Sequence, residues 1–505
     1  MNAEATAPSP TLPLPQPRLK PVNRQQVCLR MIDPEQLVEE GHPVRAIWDL
    51  LGRLDLSRFT AGIRAVEGRP GRDASNPRVL IALWLYALSR GVRQARFLDE
   101  WSQYEPGCQW LLGLGRINYH TLADFVVDHG AALDRLFVDL LQVLMSEGLA
   151  DLERVAHDGT KIRASASRRS FQREERLGEC KQLAEEHLEA LKQEAADPQL
   201  RAARRQARQR AARERVERLR RAEEELKRRQ VEAKAEAENL RASVTDPDAR
   251  VMRQGEGGFA PSYNAQISTD ACQGVILAYE VSQAGEDSHQ LQPALERIEA
   301  NTGQWPKQIL VDGGYTTRQN ILETAQQPTE LVGSLGEDRS QSKLQQQGVS
   351  AEFMPERFRF NEAENCFTCP AGKSLPYQTS KKLAGATEKH YRAKASDCQT
   401  CPFAPQCCPK MVQKGRGRLL TQTEEAPQVA EFRRKMRQSQ YQEVYRQRAQ
   451  VAEFSHACLK EKKGLRKFLR RGLVKVRAEL AWACLSCNVS IWTRRVWKVS
   501  LQSPT

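Results

Sequence analysis

The sequence has no uninterrupted run of the roughly 18 apolar residues that a membrane-spanning helix needs. Its most apolar segment, residues 79–88, is broken by Ser89 and Arg90. The first twenty residues are rich in proline and lack the apolar core of a signal peptide, so we predict a disordered leader over residues 1–22. These absences predict a soluble, cytoplasmic protein without a membrane partner.

The cysteine content does not indicate a disulfide framework. Thirteen cysteines are an odd number, and without a secretion signal they favour reduced thiols or metal ligands. Four of them form two Cys-x-x-Cys pairs, followed by two adjacent cysteines: Cys366 with Cys369, Cys398 with Cys401, then Cys407 and Cys408. The pairs predict a tetrahedral zinc site, although the gap between them exceeds the usual roughly 15–20 residues. A collapsed loop of buried thiols is the alternative.

Acidic residues are fewer than basic ones. The chain has 77 Lys and Arg against 63 Asp and Glu, which gives a net charge of +14. This surplus favours a polyanionic partner through Coulomb attraction and counterion release, and nucleic acid is the leading candidate. A basic protein that is merely soluble is the alternative. A length of 505 residues predicts two or three domains.

Residues 23–149 have the periodicity of amphipathic helices. The positions that predict one buried helix face are Leu80, Leu83, Trp84, Ala87 and Leu88. Arg90, Arg93 and Arg96 follow at three-residue steps, close to the helical repeat, and form a predicted basic edge. Such a domain suits a helix-turn-helix-like grip on duplex DNA. A helical domain that only packs against its neighbours is the alternative.

Residues 169–244 consist almost entirely of strong helix formers, so we predict one or two long helices, broken near Asp197-Pro198. Val216, Leu219 and Leu226 indicate a seam, but they are too sparse for a long coiled coil. The arginines of this segment would either lie along phosphates or form exposed pairs with glutamates.

Strand patterns flank this segment, and residues 150–168 and 245–337 are predicted to form one α/β domain. An apolar strand precedes Asp158. The later pattern is a hairpin of residues 263–268 and 275–281, a helix at 288–299, a strand at 308–311, a helix at 319–324 and a strand at 330–333. This order predicts a mixed sheet covered by helices.

Asp158 and Asp312 each follow a short apolar segment, each with a glycine next, and both are predicted at strand ends. Farther along the chain, at about 100° per residue, one helix face is predicted to carry Tyr445, Arg448, Glu453, His456 and Lys460. Three carboxylates provide the hard oxygen ligands that divalent metal ions prefer. His157 is predicted to be a buried or capping residue rather than a ligand.

The order Asp158, Asp312, Glu453, with Tyr445, Arg448 and Lys460 around the glutamate, resembles the DDE transposases of bacterial insertion sequences. Four residues separate Arg448 from Glu453, against three in the related signature. Other strings resemble the helical domain that precedes catalysis in one branch of the family: His42-Pro43-Val44-Arg45, Pro77-Arg78-Val79-Leu80, Ser89-Arg90-Gly91-Val92 and His120-Thr121-Leu122-Ala123-Asp124-Phe125.

The resemblance implies an α/β catalytic core of ribonuclease-H-like type, preceded by an all-α DNA-binding domain at 23–149. The core is interrupted by the helical insert 169–244 and by a Cys-rich insert at 338–425, and it ends in a catalytic helix and basic tail at 426–498. Asp158, Asp312 and Glu453 would bind two Mg²⁺ or Mn²⁺ ions that assist phosphodiester cleavage and transfer.

The resemblance also implies that Tyr445, Arg448 and Lys460 position DNA. The partners would be double-stranded DNA, both element ends and target, bound by a homodimer or larger assembly associated with the nucleoid. The basic stretch Lys462 to Lys475 is predicted to be helix-like, to pack on the core and to flank the DNA. A catalytically inactive DNA-binding derivative of a transposase and a nuclease of the same core are the alternative functions.

Overall fold

The computed structural model describes residue 27 and residues 31–66, 73–193, 202–233, 240–334 and 339–501. The predicted leader 1–22 and the predicted break at Asp197-Pro198 lie outside these ranges. No helix within them is long and apolar enough to cross a membrane.

Helices alone make up the regular structure described before Arg154. They are α1 (Pro43–Gly52), α2 (Ser57–Thr60), α3 (Pro77–Ser89), α4 (Ala95–Trp101), α5 (Pro106–Leu112), α6 (Tyr119–Asp128) and α7 (Gly130–Ser146), after a short 3-10 turn at Pro34–Leu37. Asn76 caps α3 by accepting a hydrogen bond from the Arg78 N–H at 2.9 Å, and proline occupies the first helical position. Gly91, with φ +77°, follows its end.

Two predictions for this region are wrong. Helix α3 is buried on all sides from Leu80 to Leu88, not on one face, because neighbouring elements cover it completely. Arg90, Arg93 and Arg96 do not form a row on one helix, since α3 ends at Ser89 and α4 begins at Ala95.

The segment from Arg154 to Gly333 contains β1 (Arg154–Arg163), β2 (Phe171–Gln172), α8 (Glu174–Gln193), α9 (Ala202–Ala233), β3 (Ala242–Ser243), β4 (Arg250–Arg253), β5 (Phe259–Asp270), β6 (Ile276–Ser282), α10 (Leu291–Thr302), β7 (Gln308–Val311), α11 (Arg318–Thr324) and β8 (Glu330–Gly333). The main sheet has the order β4-β5-β1-β7-β8, and β6 also pairs with β5. Strands β1, β7 and β8 are parallel, whereas β5 is antiparallel to β1, β4 and β6. The predicted mixed sheet and the β5–β6 hairpin are confirmed, and the order fits a ribonuclease-H-like core.

Helices α8 and α9 leave the sheet after β1 and pack against each other, with the short pair β2–β3 at their base. Their shared core contains Leu177, Ala184, Leu219, Ala222 and Leu226, so the predicted seam residues Leu219 and Leu226 are buried. Several α9 arginines form exposed pairs one helical turn away, such as Arg220 with Glu224 at 3.0 Å. This pattern favours a solvated helix surface.

The Cys-rich insert forms a second small sheet that the sequence did not predict. Its elements are α12 (Arg339–Gln346), β9 (Arg359–Asn361), β10 (Cys366–Thr368), β11 (Ser374–Leu383), β12 (Ala386–Arg392), α13 (Ala395–Gln399), α14 (Ala404–Cys407), α15 (Pro409–Gln413) and β13 (Leu419–Glu425). The strands follow one another in an antiparallel order, β13-β12-β11-β10-β9. Phe353, Leu375, Tyr391 and Leu420 belong to a hydrophobic core of its own.

The last segment contains α16 (Pro427–Met436), α17 (Ser439–Ala457), a π-helical turn at Cys458–Lys462, α18 (Leu473–Trp492), a second π-helical turn at Thr493–Trp497 and α19 (Lys498–Ser500). The basic stretch predicted as helix-like from Lys462 is irregular up to Gly472. Gly464 and Gly472 adopt positive φ angles of +67° and +85°, which interrupt a helix. Helix α18 is almost entirely buried and packs on α3, α6, α7 and β6. The N-terminal helices and the sheet therefore share one hydrophobic core.

A buried ion pair fixes the irregular segment before α18. The Arg93 guanidinium donates to the Glu479 carboxylate and to the carbonyl oxygens of Gly464 and Lys467. Glu479 also accepts hydrogen bonds from the backbone N–H groups of Leu469 and Arg470, at 3.1 and 3.0 Å. Arg93 is therefore a structural residue, not a free phosphate contact.

One cysteine pair departs from the prediction of reduced thiols. Cys458, directly after α17, is disulfide-bonded to Cys487 on α18, with a Cα–Cα distance of 6.4 Å. The two residues meet because the π-helical turn packs against α18.

The buried pair generates a stability prediction. Replacement of Glu479 by Ala should lower the free energy of unfolding by about 3–5 kcal/mol, because it leaves a buried arginine unpaired. The side chains of Arg93 and Glu479 are 11% and 6% exposed. Thermal and urea unfolding of the full chain measures the effect.

The matched control is Glu461→Ala, which removes the partner of Arg466 in a pair whose side chains are 62% and 55% exposed. This variant should leave the free energy of unfolding nearly unchanged. Equal losses in the two variants would contradict a special role for Glu479.

Candidate active site

The pairing of β1 with β7 places two predicted acidic residues side by side. Ala156 lies opposite Leu310 in the parallel ladder, so continuing the register by two residues sets Asp158 opposite Asp312. Asp312 directly follows β7, as predicted. Asp158 is instead inside β1, because this strand continues to Arg163 along its antiparallel partner β5. The prediction of a strand end at Asp158 is therefore wrong.

Asp158 is largely buried and already has a cationic partner. Its Oδ2 accepts a hydrogen bond from Arg448 Nη1 at 3.1 Å, and its Oδ1 accepts one from the Gly159 N–H at 2.8 Å. Burial raises the pKa of Asp158, Arg448 opposes the rise, and Asp312 and Asp287 add to it. This carboxylate therefore lies among other acids and needs a cation to remain charged.

Asp287 is an acid of this site that sequence reasoning missed. Its carboxylate accepts hydrogen bonds from Lys161 Nζ at 3.2 Å, Asn264 Nδ2 at 2.7 Å and Gln266 Nε2 at 2.8 Å. A Cβ atom on Gly159 would lie only 2.7 Å from Asp287 Oδ1, so this position requires glycine. One signal in the sequence pointed to such an acid. Polar residues alternate along β5, and polar side chains that are buried in a sheet need hydrogen-bond partners.

His157 is a buried residue with both ring nitrogens occupied. Its Nδ1 lies 2.9 Å from Ser268 Oγ, and its Nε2 lies 2.9 Å from Gln266 Oε1. The Tyr315 hydroxyl also donates to Gln266 Oε1, at 2.6 Å. Burial lowers the pKa of His157 to about 4. The interpretation as a buried histidine rather than a ligand is confirmed.

Helix α17 crosses the sheet over β5, β1, β7 and β8. Arg448 reaches Asp158, and the Tyr445 ring lies 5.9 Å from the Arg448 guanidinium carbon. His456 belongs to the same surface, where burial lowers its pKa to about 4 and a backbone hydrogen bond with Asp158 opposes the shift.

Glu453 is exposed on α17 and is not among the charged groups that most affect Asp158. Five residues turn a helix by roughly 140° beyond a full turn, so Arg448 and Glu453 cannot both face Asp158. Among the described residues, no three His, Cys, Asp or Glu side chains form a group that could hold a metal ion. Asp158 and Asp312 fit a divalent ion by chemistry and position, whereas Glu453 does not join them in this arrangement.

A cation-lined cavity of about 600 Å³ lies beside the end of α17. Its basic residues are Arg90, Lys462, Lys463, Arg494 and Lys498, and no Asp or Glu is part of its lining. Lys463 is buried and donates to Ser490 Oγ at 2.9 Å, and burial lowers its pKa to about 8. Phe454, the neighbour of Glu453, forms part of the wall. Such a cavity suits an anionic group.

The remaining predicted DNA-binding residues lie in different environments. Arg90 is exposed at the end of α3 and lines the cavity. Arg96 is exposed on α4, with its guanidinium carbon 4.8 Å from the centre of the Tyr119 ring. Lys460 is half-buried in the π-helical turn, where burial lowers its pKa.

Comparison with known families identifies the segment that carries α17. Residues 368–491 match the family model described as "Transposase DDE domain". This region belongs to the transposase DDE domain family. No curated protein and no solved structure matches the chain.

The matched DDE region contains Glu453, Tyr445, Arg448 and Lys460, whereas Asp158 and Asp312 precede it. It also contains five cysteines around one small cavity, Cys369, Cys398, Cys401, Cys407 and Cys408. Cys366 precedes the match, is not part of this lining, and its thiol lies 3.6 Å from Glu364 Oε2. The structure thus brings together three of the four predicted zinc ligands and adds two others.

The buried His157 beside Asp158 generates a pH prediction. The pKa of His157 is about 4 in the folded chain, against an ordinary value of 6.5. Between pH 6.5 and pH 4 the unfolded chain therefore binds one more proton than the folded chain. Stability should therefore fall as the pH drops from 6.5 towards 4, by about 1.4 kcal/mol per pH unit for one proton. His157→Gln should remove this contribution, which urea unfolding at a series of pH values measures.

His187→Gln is the matched control, because His187 is exposed on α8. It should leave the pH dependence unchanged. A slope in His157→Gln equal to that of the unchanged chain would contradict the assignment.

Proposed function

We propose that the chain is a DDE transposase that binds the terminal inverted repeats of an insertion sequence and catalyses metal-dependent DNA cleavage and strand transfer. The observation that carries the proposal is the adjacency of Asp158 and Asp312 beneath the helix of the matched DDE region. Two acids on neighbouring parallel strands, crossed by a helix that carries a third, can supply carboxylates to one edge of a sheet.

Asp158 and Asp312 are proposed to hold Mg²⁺ or Mn²⁺, since such ions prefer hard oxygen ligands and bind through few carboxylates together with substrate phosphate. Glu453 is proposed as the third ligand on the family resemblance alone, since its side chain is exposed and does not join the two aspartates in this structure. Two divalent ions would neutralise charge on the attacking and leaving oxygens of a phosphodiester. In this structure Arg448 lies 3.1 Å from Asp158 and offsets its charge. When a metal ion offsets that charge instead, Arg448 is proposed to bind a DNA phosphate.

The proposed DNA path includes the cation-lined cavity beside α17. Arg90, Lys462 and Arg494 contribute positive charge there, and no carboxylate in the lining competes with phosphate. Lys460, whose charge interacts with that of Asp158, and Tyr445 are proposed to extend this surface. Together they support backbone contacts, which position DNA without specifying its sequence.

A catalytically inactive DNA-binding protein is the second candidate. The observation that favours it is the exposed position of Glu453, together with the occupation of Asp158 by Arg448. Both candidates predict DNA binding, and only the transposase predicts that Glu453 matters for chemistry.

The carboxylates provide the first test. Asp158→Asn, Asp312→Asn and Glu453→Gln should each reduce cleavage and joining to background, because each removes a ligand charge at nearly constant volume. The measurement is incubation of the full chain with Mg²⁺ and a labelled duplex that carries the flanking inverted repeats, with DNA binding followed in parallel.

Glu443→Gln is the control, because Glu443 is an exposed acid on the same helix. It should cleave and join normally. If the unchanged chain binds the duplex but never cleaves it, the inactive protein is supported. Cleavage without joining would indicate a nuclease.

The cavity provides a second test. Arg90→Ala should remove about one phosphate contact. The slope of log K against log salt concentration should therefore become shallower by about 0.9, the contribution of one neutralised phosphate on duplex DNA. The control is Arg58→Ala on α2, where Arg58 pairs with Asp139 at 2.9 Å outside the cavity. Equal slopes for Arg90→Ala and the unchanged chain would remove this cavity from the DNA path.

A further inference from the structure

Five thiols of the Cys-rich insert surround one enclosed cavity of about 30 Å³. They come from three separate pieces of chain: the turn after β10 provides Cys369, α13 and its end provide Cys398 and Cys401, and α14 and its end provide Cys407 and Cys408. The first piece is about thirty residues from the others, so only the fold of the small sheet brings them together.

Backbone N–H groups point at two of the sulfur atoms. The Lys373 N–H donates to Cys369 Sγ at 3.2 Å, and the Arg418 N–H donates to Cys398 Sγ at 3.3 Å. A hydrogen bond donated to sulfur stabilises its deprotonated form. The thiolate is the form that binds metal ions.

The third piece of chain contributes two adjacent thiols, Cys407 and Cys408, to the lining of the cavity. A tetrahedral site with Cys369, Cys398 and Cys401 needs one more ligand, so one of these two thiols completes it.

Arg418 is an independent sign of missing negative charge. Its guanidinium is buried and donates to two carbonyl oxygens, Cys407 O at 2.9 Å and Phe353 O at 3.1 Å. Its Nε has no hydrogen-bond partner among the residues that the structure describes. A buried cation without a counter-charge is costly. A zinc ion held by four thiolates carries a net charge of −2, which would supply that counter-charge.

We propose that Cys369, Cys398, Cys401 and one of the adjacent thiols Cys407 and Cys408 bind one structural Zn²⁺ ion, with Arg418 as charge compensation and Cys366 outside the site. The thiols do not form a closed metal-binding group in the described structure, so zinc draws them inwards around the cavity. The ion would tie the β10–β11 turn to α13 and α14 and stabilise the small core of the insert. This proposal does not depend on transposase activity.

The test is metal analysis of the full chain, purified without chelator, and of six single Cys→Ser variants. The unchanged chain should contain about one zinc per molecule, as a four-ligand site requires. Cys366→Ser should retain it. The variants at positions 369, 398 and 401 should lose most of it, and so should one, but not both, of Cys407→Ser and Cys408→Ser.

Because a ligand variant can lose zinc by unfolding, Co²⁺ replacement in the unchanged chain and in Cys366→Ser provides a second measurement. Both proteins should show the same thiolate-to-cobalt absorption, with the intensity of a tetrahedral four-thiolate site. Absence of zinc together with failure to bind added Zn²⁺ would overturn the proposal. A changed cobalt spectrum in Cys366→Ser, or full zinc retention in Cys369→Ser, Cys398→Ser or Cys401→Ser, would overturn the ligand set.

Discussion

The candidate active site depends on the parallel register between β1 and β7. Ala156 lies opposite Leu310 in that ladder, and every other feature of the site follows from this alignment. A slip of one residue would bring His157 or Gly159 opposite Asp312 and turn Asp158 to the other face of the sheet. The side chains of Val155, Ile309 and Leu310 are buried in this register, so a slip would disrupt their packing. Hydrophobic burial thus fixes where two negative charges meet.

Two like charges at one position must be offset, and the molecule uses helix α17 for this purpose. Arg448 approaches Asp158 from α17, while Lys161 approaches Asp287 from β1. The cation beside Asp158 is therefore supplied by a helix that lies almost 300 residues later in the sequence. The charge balance at Asp158 thus depends on the position of α17.

The sequence was sufficient for the parts of the fold that have local signals. Strands β7 and β8 and the β5–β6 hairpin follow from apolar runs and a turn, and the structure has them at the predicted positions. Asp287 was missed because its partners lie on β1 and β5, and no local pattern links it to them. The side of α17 that faces the sheet was predicted incorrectly. A turn of 100° per residue gives only the angles between side chains on the helix, whereas the packing of Arg448 against Asp158 decides which side chains face the sheet. The small sheet of the insert escaped prediction because its longest strand, β11, is largely exposed and lacks an apolar alternation.

The burial of α18 has a consequence for synthesis of the chain. Its Ser486 and Trp482 side chains bond to the carbonyl oxygens of Leu85 and Val126, and its Asn488 pairs with both backbone groups of Ile276. During translation, α3 and β6 leave the ribosome long before the helix that covers them. Contacts over such separations form late and leave apolar surface open to aggregation or proteolysis in the meantime. A prematurely terminated chain would lack the centre of its own core, so abundance of the protein is tied to completion of its last helices.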